Sequence, residues 1–226
     1  NGIASTQWNN TATEARLELV HKQWLGSKGV IGAQVTGATL NAIDLTTNNY
    51  AIVPQTKSNA SALFLVEEGR YGDLKTNLGA RYSYAAQNPN SATQFPSPSS
   101  QGFIPNTYGP PSIQNRQFNL FSYSAGGIYD LAKSYGLGLA YTVSQRAPTP
   151  QELYSYGPHD STATFDIGNS NLGTETSHNI ELSFQKTLGN IRSKVSLYRN
   201  QFTNYIYGFY TGSYSTTNDN FSVVQA

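Results

Sequence analysis

Residues 74–84 read LKTNLGARYSY, and this stretch decides the fold. Leu74, Leu78, Ala80, Tyr82 and Tyr84 share one face of an extended chain, broken only by Thr76, while Lys75, Asn77, Gly79, Arg81 and Ser83 share the other. A two-residue period marks a strand whose faces meet different surroundings. Its length matches the roughly 9 to 11 residues that a tilted strand needs to cross a bilayer. Working outward, Tyr135, Leu137, Leu139, Tyr141 and Val143 alternate with Gly136, Gly138, Ala140, Thr142 and Ser144. Phe121, Tyr123, Ala125, Tyr129 and Leu131 face away from Ser122, Ser124 and Gly126, and Ile180, Leu182 and Phe184 face away from Asn179, Glu181, Ser183 and Gln185. Weaker versions occupy residues 15–24, 30–35, 57–67, 191–206 and the final stretch ending at Ala226. The count is about nine strands, with no competing helical period.

The connections between these strands alternate in length. Residues 25–29, 68–73, 130–134 and 188–190 are short, whereas 38–56, 86–115, 147–173 and, less markedly, 208–213 are long. Tight turns at one end and extended loops at the other are the pattern of an outer-membrane barrel, while a soluble sandwich sets its loop lengths locally. Composition agrees. Only 12% of the 226 residues are charged, against roughly 25% in ordinary soluble domains, while the chain holds 16 Tyr and 20 Gly. A barrel strand needs an apolar face toward lipid, and its other face can be merely polar. The net charge of +1 leaves no broad field for nucleic acid. With no Cys there is neither a disulfide framework nor a thiolate metal site, and three His leave little material for imidazole clusters. No apolar run approaches the ~18 residues of a membrane helix. The residues therefore read as all-β, an antiparallel transmembrane β-barrel. Asn1 is not an initiator and no secretory signal opens the chain, which reads as a processed or trimmed piece.

One region is specific enough to name a family. Residues 144–181 read SQRAPTPQELYSYGPHDSTATFDIGNSNLGTETSHNIE. This resembles the later barrel strands of TonB-dependent outer-membrane receptors, in which an Arg-x-Pro-x-x-x-Glu-Leu segment leads through a loop to a Gly-Asn-x-x-Leu-x-x-Glu-x-Ser-x-Asn-x-Glu strand. The matching positions are Arg146, Pro148, Glu152 and Leu153, then Gly168, Asn169, Leu172, Glu175, Ser177, Asn179 and Glu181. Pro54, Phe64 and Arg81 stand at the characteristic places of mid-barrel strands, and the similarity spans most of residues 14–206. The resemblance implies a roughly 22-stranded barrel occluded by a plug domain, importing scarce nutrients with energy from the TonB complex. About nine strands make this a barrel segment. Nothing in it resembles a plug or a TonB box, and residues 221–226 read as the start of a strand that a parent chain continues. The partners implied are outer-membrane lipid, the plug domain of the same chain, the TonB complex reached through that plug, and an extracellular ligand. The implied cargo is a metal or metal chelate such as a siderophore or zinc, with no resident cofactor.

A receptor of this kind needs ligand groups and lumen-facing polar groups rather than catalytic ones. Glu152, His159, Asp160, Asp166 and Glu175 collect within one loop, whereas residues 82–115 carry no acidic or imidazole group. His159 and Asp160 pair an imidazole nitrogen with a carboxylate, a donor set that suits a divalent cation such as zinc, and Asp166 is a further candidate. The plainer reading is a solvated loop whose His159 bonds to nearby backbone. Strand parity places Arg146 on the lumen face, and the six residues to Glu152 allow a fold-back ion pair that fixes the loop's exit angle. A sharper alternative has lumen carboxylates such as Glu175 and Glu181 meeting plug arginines. His178 and His21 read as interfacial residues, with no Ser and acid arranged for nucleophilic catalysis. Tyr198, Tyr205, Tyr207, Tyr210 and Tyr214 read as an aromatic girdle or, alternatively, a stacking platform. Phe95, Phe103, Ile104 and Tyr108 in the Pro-rich segment form either an apolar lid or a self-packed loop. A passive porin and a secreted β-rich binding module remain as rival functions.

Overall fold

The computed structural model describes residues 6–24, 26–45, 48–92, 95, 109–159, 162, 164–214 and 222–225. Its main body is an eight-stranded sheet in the order β1-β2-β3-β4-β5-β6-β9-β10. The strands are β1 (Thr6–Trp24), β2 (Ser27–Asp44), β3 (Thr56–Tyr71), β4 (Leu74–Pro89), β5 (Arg116–Ala132), β6 (Tyr135–Arg146), β9 (Glu175–Lys186) and β10 (Ser193–Thr203). Every neighbouring pair is antiparallel. A second sheet has the order β11-β12-β8-β7, built from β7 (Tyr156–His159), β8 (Thr164–Ile167), β11 (Phe209–Tyr214) and β12 (Ser222–Gln225).

The alternation read from the sequence is the alternation of the sheet. In β6, Tyr135, Leu137, Leu139 and Tyr141 point outward and are exposed, while Gly136 and Gly138 are buried. The register carries this face across neighbours: Leu139 opposes Leu182 in β9, which opposes Leu197 in β10. Leu17, Leu63, Leu139 and Leu182 are 66%, 63%, 56% and 45% exposed, the reverse of a soluble protein's economy. An apolar face this broad is stable only against lipid or another apolar surface. Tyr71, Tyr129 and Tyr135 ring its short-turn end, and Tyr82, Phe121, Tyr123 and Tyr141 its opposite end, at the levels where amphipathic rings favour headgroups. The other face curls inward, since residues from Val20 in β1 to Lys194 in β10 line one cavity of about 1190 Å³.

Three expectations are adjusted by the coordinates. Strands β1 to β5 run 16 to 19 residues, longer than crossing requires, so β2 continues to Asp44 through what reads as the first long connection. The final stretch does not add a ninth strand to the large sheet: β12 pairs parallel with β8 and antiparallel with β11. Within the connection 147–173, read from the sequence only as a long loop, the described residues include α1 (Pro150–Tyr154) and the β7–β8 hairpin. These loop elements carry most of the fully buried large side chains, Leu153, Tyr154, Tyr156 and Phe165 at 0–2% exposure. The packed core thus sits at the long-loop end of the inner face, and the strands below it are hollow.

Candidate functional site at the loop end of the inner face

Arg146, the last residue of β6, organises this end. It stands directly opposite Glu175, the first residue of β9, and donates to it through Nε at 2.9 Å and Nη2 at 3.0 Å. The same guanidinium donates to Glu152 through Nη1 at 2.9 Å and Nη2 at 3.0 Å. Two bidentate carboxylates on one Arg use its planar fork fully. Each carboxylate also ties down backbone. Glu152 accepts the Thr149 N–H at 2.7 Å while Thr149 Oγ1 accepts the Glu152 N–H at 3.2 Å, a capping box that starts α1 behind Pro150. Glu175 Oε2 accepts the Ile206 N–H at 2.8 Å. One cation therefore joins β6, α1, β9 and the segment after β10.

The electrostatics follow from these bonds. Burial alone would raise the Glu152 carboxyl, but the hydrogen bonds from Arg146 and Thr149 outweigh it and hold the group below the usual carboxylate range. Arg146 holds Glu175 low as well, against the opposing effect of burial, and the Ile206 N–H adds to this. The two carboxylates in turn raise the already high pKa of Arg146. Burial pushes the Tyr154 hydroxyl up to about 12, and that hydroxyl donates to the Gln114 carbonyl at 2.8 Å.

The rest of the loop is fastened to the inner wall. Leu153 and Tyr154 pack on Phe118 of β5, with Leu120, Ala147 and Leu172 around them. Arg116 donates to the carbonyls of Ser170 and Leu172, the latter at 2.9 Å. Gln87 Nε2 donates to the Pro148 carbonyl at 3.3 Å, and the Tyr156 N–H to the Ile52 carbonyl at 2.7 Å. Gly168 and Asn169 run against α1, donating N–H groups to Ser155 and Glu152 carbonyls. A Cβ on Gly168 would lie 2.7 Å from backbone atoms of Leu153, Tyr154 and Ser155 at the end of α1, so no side chain fits there. Tyr156, Phe165 and Ile167 form a second cluster, to which the Pro-rich segment contributes Phe95, edge-on to Tyr156 at 5.4 Å. Phe103, Ile104 and Tyr108 lie outside the described residues.

The β7–β8 hairpin carries His159. Its Nδ1 lies 2.9 Å from Asp166 Oδ2, and Asp166 Oδ1 accepts from Thr164 Oγ1 at 2.7 Å. The sequence pairs His159 with Asp160, which lies outside the described residues; the hairpin register brings His159 to Asp166, the further candidate. A carboxylate on Nδ1 orients the ring, and Nε2 makes no hydrogen bond among the described residues, an arrangement typical of metal-binding imidazoles. Among the described residues no group of three or more His, Asp or Glu side chains is arranged to hold a metal ion. Glu181 is separate from this cluster, lower on the inner face, bonded to Ser196 at 2.9 Å and Lys194 at 3.2 Å.

The remaining histidines are interfacial and engaged. His178 Nδ1 meets the Tyr141 hydroxyl at 2.9 Å on the outward face. His21 Nε2 meets Glu67 Oε1 at 2.7 Å near the short turns, and Ser27 donates to the other Glu67 oxygen at 2.9 Å. Phe202, Tyr205, Tyr207 and Phe209 make a continuous ring row with centroid spacings of 5.0, 5.9 and 6.4 Å. Sequence reasoning missed Arg116, Gln87 and Ile52; the parity of Ser122 and Ser124, extended back along β5, is the signal that would have put Arg116 and Phe118 on the inner face. It also read Glu175 apart from Arg146; only the β6–β9 register makes them opposite.

The fold has clear relatives. The copper transporter OprC is similar with a TM-score of 0.68 at 16% identity, over 97% of this chain and 32% of that one. The Serratia marcescens hemophore receptor HasR, in a double-mutant form bound to its hemophore HasA and heme, gives 0.70 at 14% identity, over 97% and 37%. The siderophore receptor PirA of Pseudomonas aeruginosa gives 0.51 at 13% identity, over 96% and 44%. The chain thus spans about a third to less than half of these relatives' lengths. The family model for TonB dependent receptor-like β-barrels matches residues 1–226 throughout. With its outward apolar face, curled antiparallel sheet and inward-folded loop, the chain belongs to the TonB-dependent receptor β-barrel family.

Proposed function

We propose that these residues are part of a receptor that imports a metal or metal chelate across the outer membrane of a Gram-negative bacterium. In this reading the outward face meets lipid, and a plug domain elsewhere in the parent chain gates the lumen and couples it to the TonB complex. The sheet's outermost strands β1 and β10 each have one partner among the described residues. Further strands, toward a barrel of roughly 22, must pair those edges, because unpaired backbone is not tolerated in lipid.

The observation that carries the cargo class is His159: Asp166 holds its Nδ1 side, its Nε2 has no partner among the described residues, and its hairpin is fastened by the Tyr156, Phe165 and Ile167 cluster. With no complete ligand set among the described residues, the imidazole suits a metal that arrives with coordination partners of its own better than a bare ion in a protein cage. Asp160 and Asp166 are the neighbouring carboxylates of this reading. Arg146, Glu152, Glu175 and Glu181 are its lumen or plug contacts. The test is growth and uptake by a receptor-null strain carrying the full-length receptor, under zinc, iron or copper limitation. His159→Ala is expected to abolish the advantage under one of these limitations. If the wild-type receptor confers no advantage under any of them, the metal assignment falls. A Glu181→Gln variant with unaltered passive leakage of small solutes would count against a plug latch at that residue.

A further inference from the structure

Halfway along the inner face two arginines share one aromatic ring. Arg16 Cζ lies 4.3 Å and Arg81 Cζ 5.9 Å from the centroid of Phe64. Room for the ring comes from Gly32, where a Cβ would sit 2.2 Å from Phe64 Cζ. The two cations differ in their partners. Arg16 has its own carboxylate, Glu18, at 2.6 Å. Arg81 is held only by neutral acceptors: Nη2 donates to Gln34 Oε1 at 2.9 Å and Nε to Ser83 Oγ at 3.0 Å. No ion pair among the described residues includes Arg81. Its cross-strand neighbours are Phe64 and the small Ser122, and the residue is half-buried on the inner face.

We propose that Arg81, backed by Phe64 and flanked by Arg16, is a binding station for an oxyanion, chemically a carboxylate, that these 226 residues do not contain. Arg16 is neutralised by Glu18 whereas Arg81 has no counter-ion among the described residues, so an incoming anion gains most at Arg81. Fixed neutral hydrogen bonds preorganise the fork for bidentate contact with a carboxylate. The carboxylate has two possible sources in a receptor of the proposed kind: an anionic metal chelate passing along the wall, or an acidic side chain of the plug. The station deepens the transport reading given above and rests on it for the first source only.

The experiment uses the full-length receptor with Arg81→Gln, which keeps hydrogen-bonding capacity and removes the charge, and Arg81→Lys, which keeps the charge. Folding of each is checked by heat-modifiable gel mobility, and Phe64→Leu, which removes the shared ring and leaves the charge, supports the comparison if Arg81→Gln does not fold. Binding of ferric citrate, an anionic chelate, and passive conductance in planar bilayers are both measured. Weakening of ferric citrate binding by about tenfold or more in Arg81→Gln, with conductance unchanged and Arg81→Lys in between, assigns the ligand as the source. Increased conductance with unchanged binding assigns the plug. Wild-type behaviour of Arg81→Gln in both readouts overturns the station. If His159→Ala leaves every metal-limited growth phenotype intact while Arg81→Gln still moves one readout, the metal site falls and the station stands.

Discussion

The strands and the loop they carry obey opposite burial rules. In β6 the large apolar residues Leu137 and Leu139 are 41% and 56% exposed, and the buried positions are Gly136, Gly138 and, near the loop end, Val143. In residues 147–173 the large apolar residues are the buried ones, with Leu153 and Tyr154 at 0% and Tyr156 at 2%. The difference teaches where each part draws its stability. The strands rely on continuous antiparallel ladders and an apolar solvent outside, while the loop relies on close packing against the inner wall and on Arg146 between two carboxylates.

Substitutions sharpen that contrast. Leu153→Ala is expected to destabilise the loop by about 2–5 kcal/mol through the cavity it leaves against Phe118. Hydrogen exchange of residues 150–172 in the detergent-solubilised receptor reads this, and equal loss of protection in β6 and β9 would show that loop and sheet are one cooperative unit. Leu139→Arg, placing a charge on the outward face, costs about 2–4 kcal/mol at mid-bilayer depth, whereas the same charge at Asn77 on the inner face costs little. Equilibrium unfolding from lipid vesicles distinguishes the two sites, and equal costs would break the assignment of faces.

Arg146→Met leaves Glu152 and Glu175 without their cation and is expected to cost about 1–3 kcal/mol, discounted for partial exposure of the Arg. The matching pH dependence has a defined sign. Both carboxyls are lowered by folding, so their contribution is complete above the ordinary carboxylate value of about 4.3. It is lost as pH falls through their lower folded values. Proteolytic cutting of the loop by an acid-active protease should therefore rise on acidification below that value in the wild type and change less in Arg146→Met. Thr149→Ala is the smallest case, about 1 kcal/mol for the lost cap, visible as faster exchange confined to α1.

Much of this was legible because a strand's period is local. The faces of β4, β5, β6 and β9 follow from the order of residues alone, since side chains alternate whatever the partner strand is. The Arg146–Glu152 pair was readable for the same reason: six residues with Pro148 and Pro150 between them cannot travel far. What was not readable depends on register. Arg146 meets Glu175 because β6 and β9 pair in one alignment among several that keep the same faces, and residues 147–174 between them do not state which. His159 meets Asp166, seven residues on, because the β7–β8 hairpin sets them on one side.

By itself, the order of residues determined an all-β chain with one apolar face, short and long connections in alternation, and a loop rich in acids beside one imidazole. Those are consequences of local geometry and of transfer from water, which need no knowledge of distant contacts. Only the tertiary structure decided that the loop folds inward onto Phe118 and Ile52, that one arginine serves two carboxylates, and that Arg81 shares a ring with Arg16 yet has no carboxylate partner among the described residues. Each of these joins residues tens of positions apart, and such contacts are selected by strand pairing and packing across the whole sheet, not by neighbours in the chain.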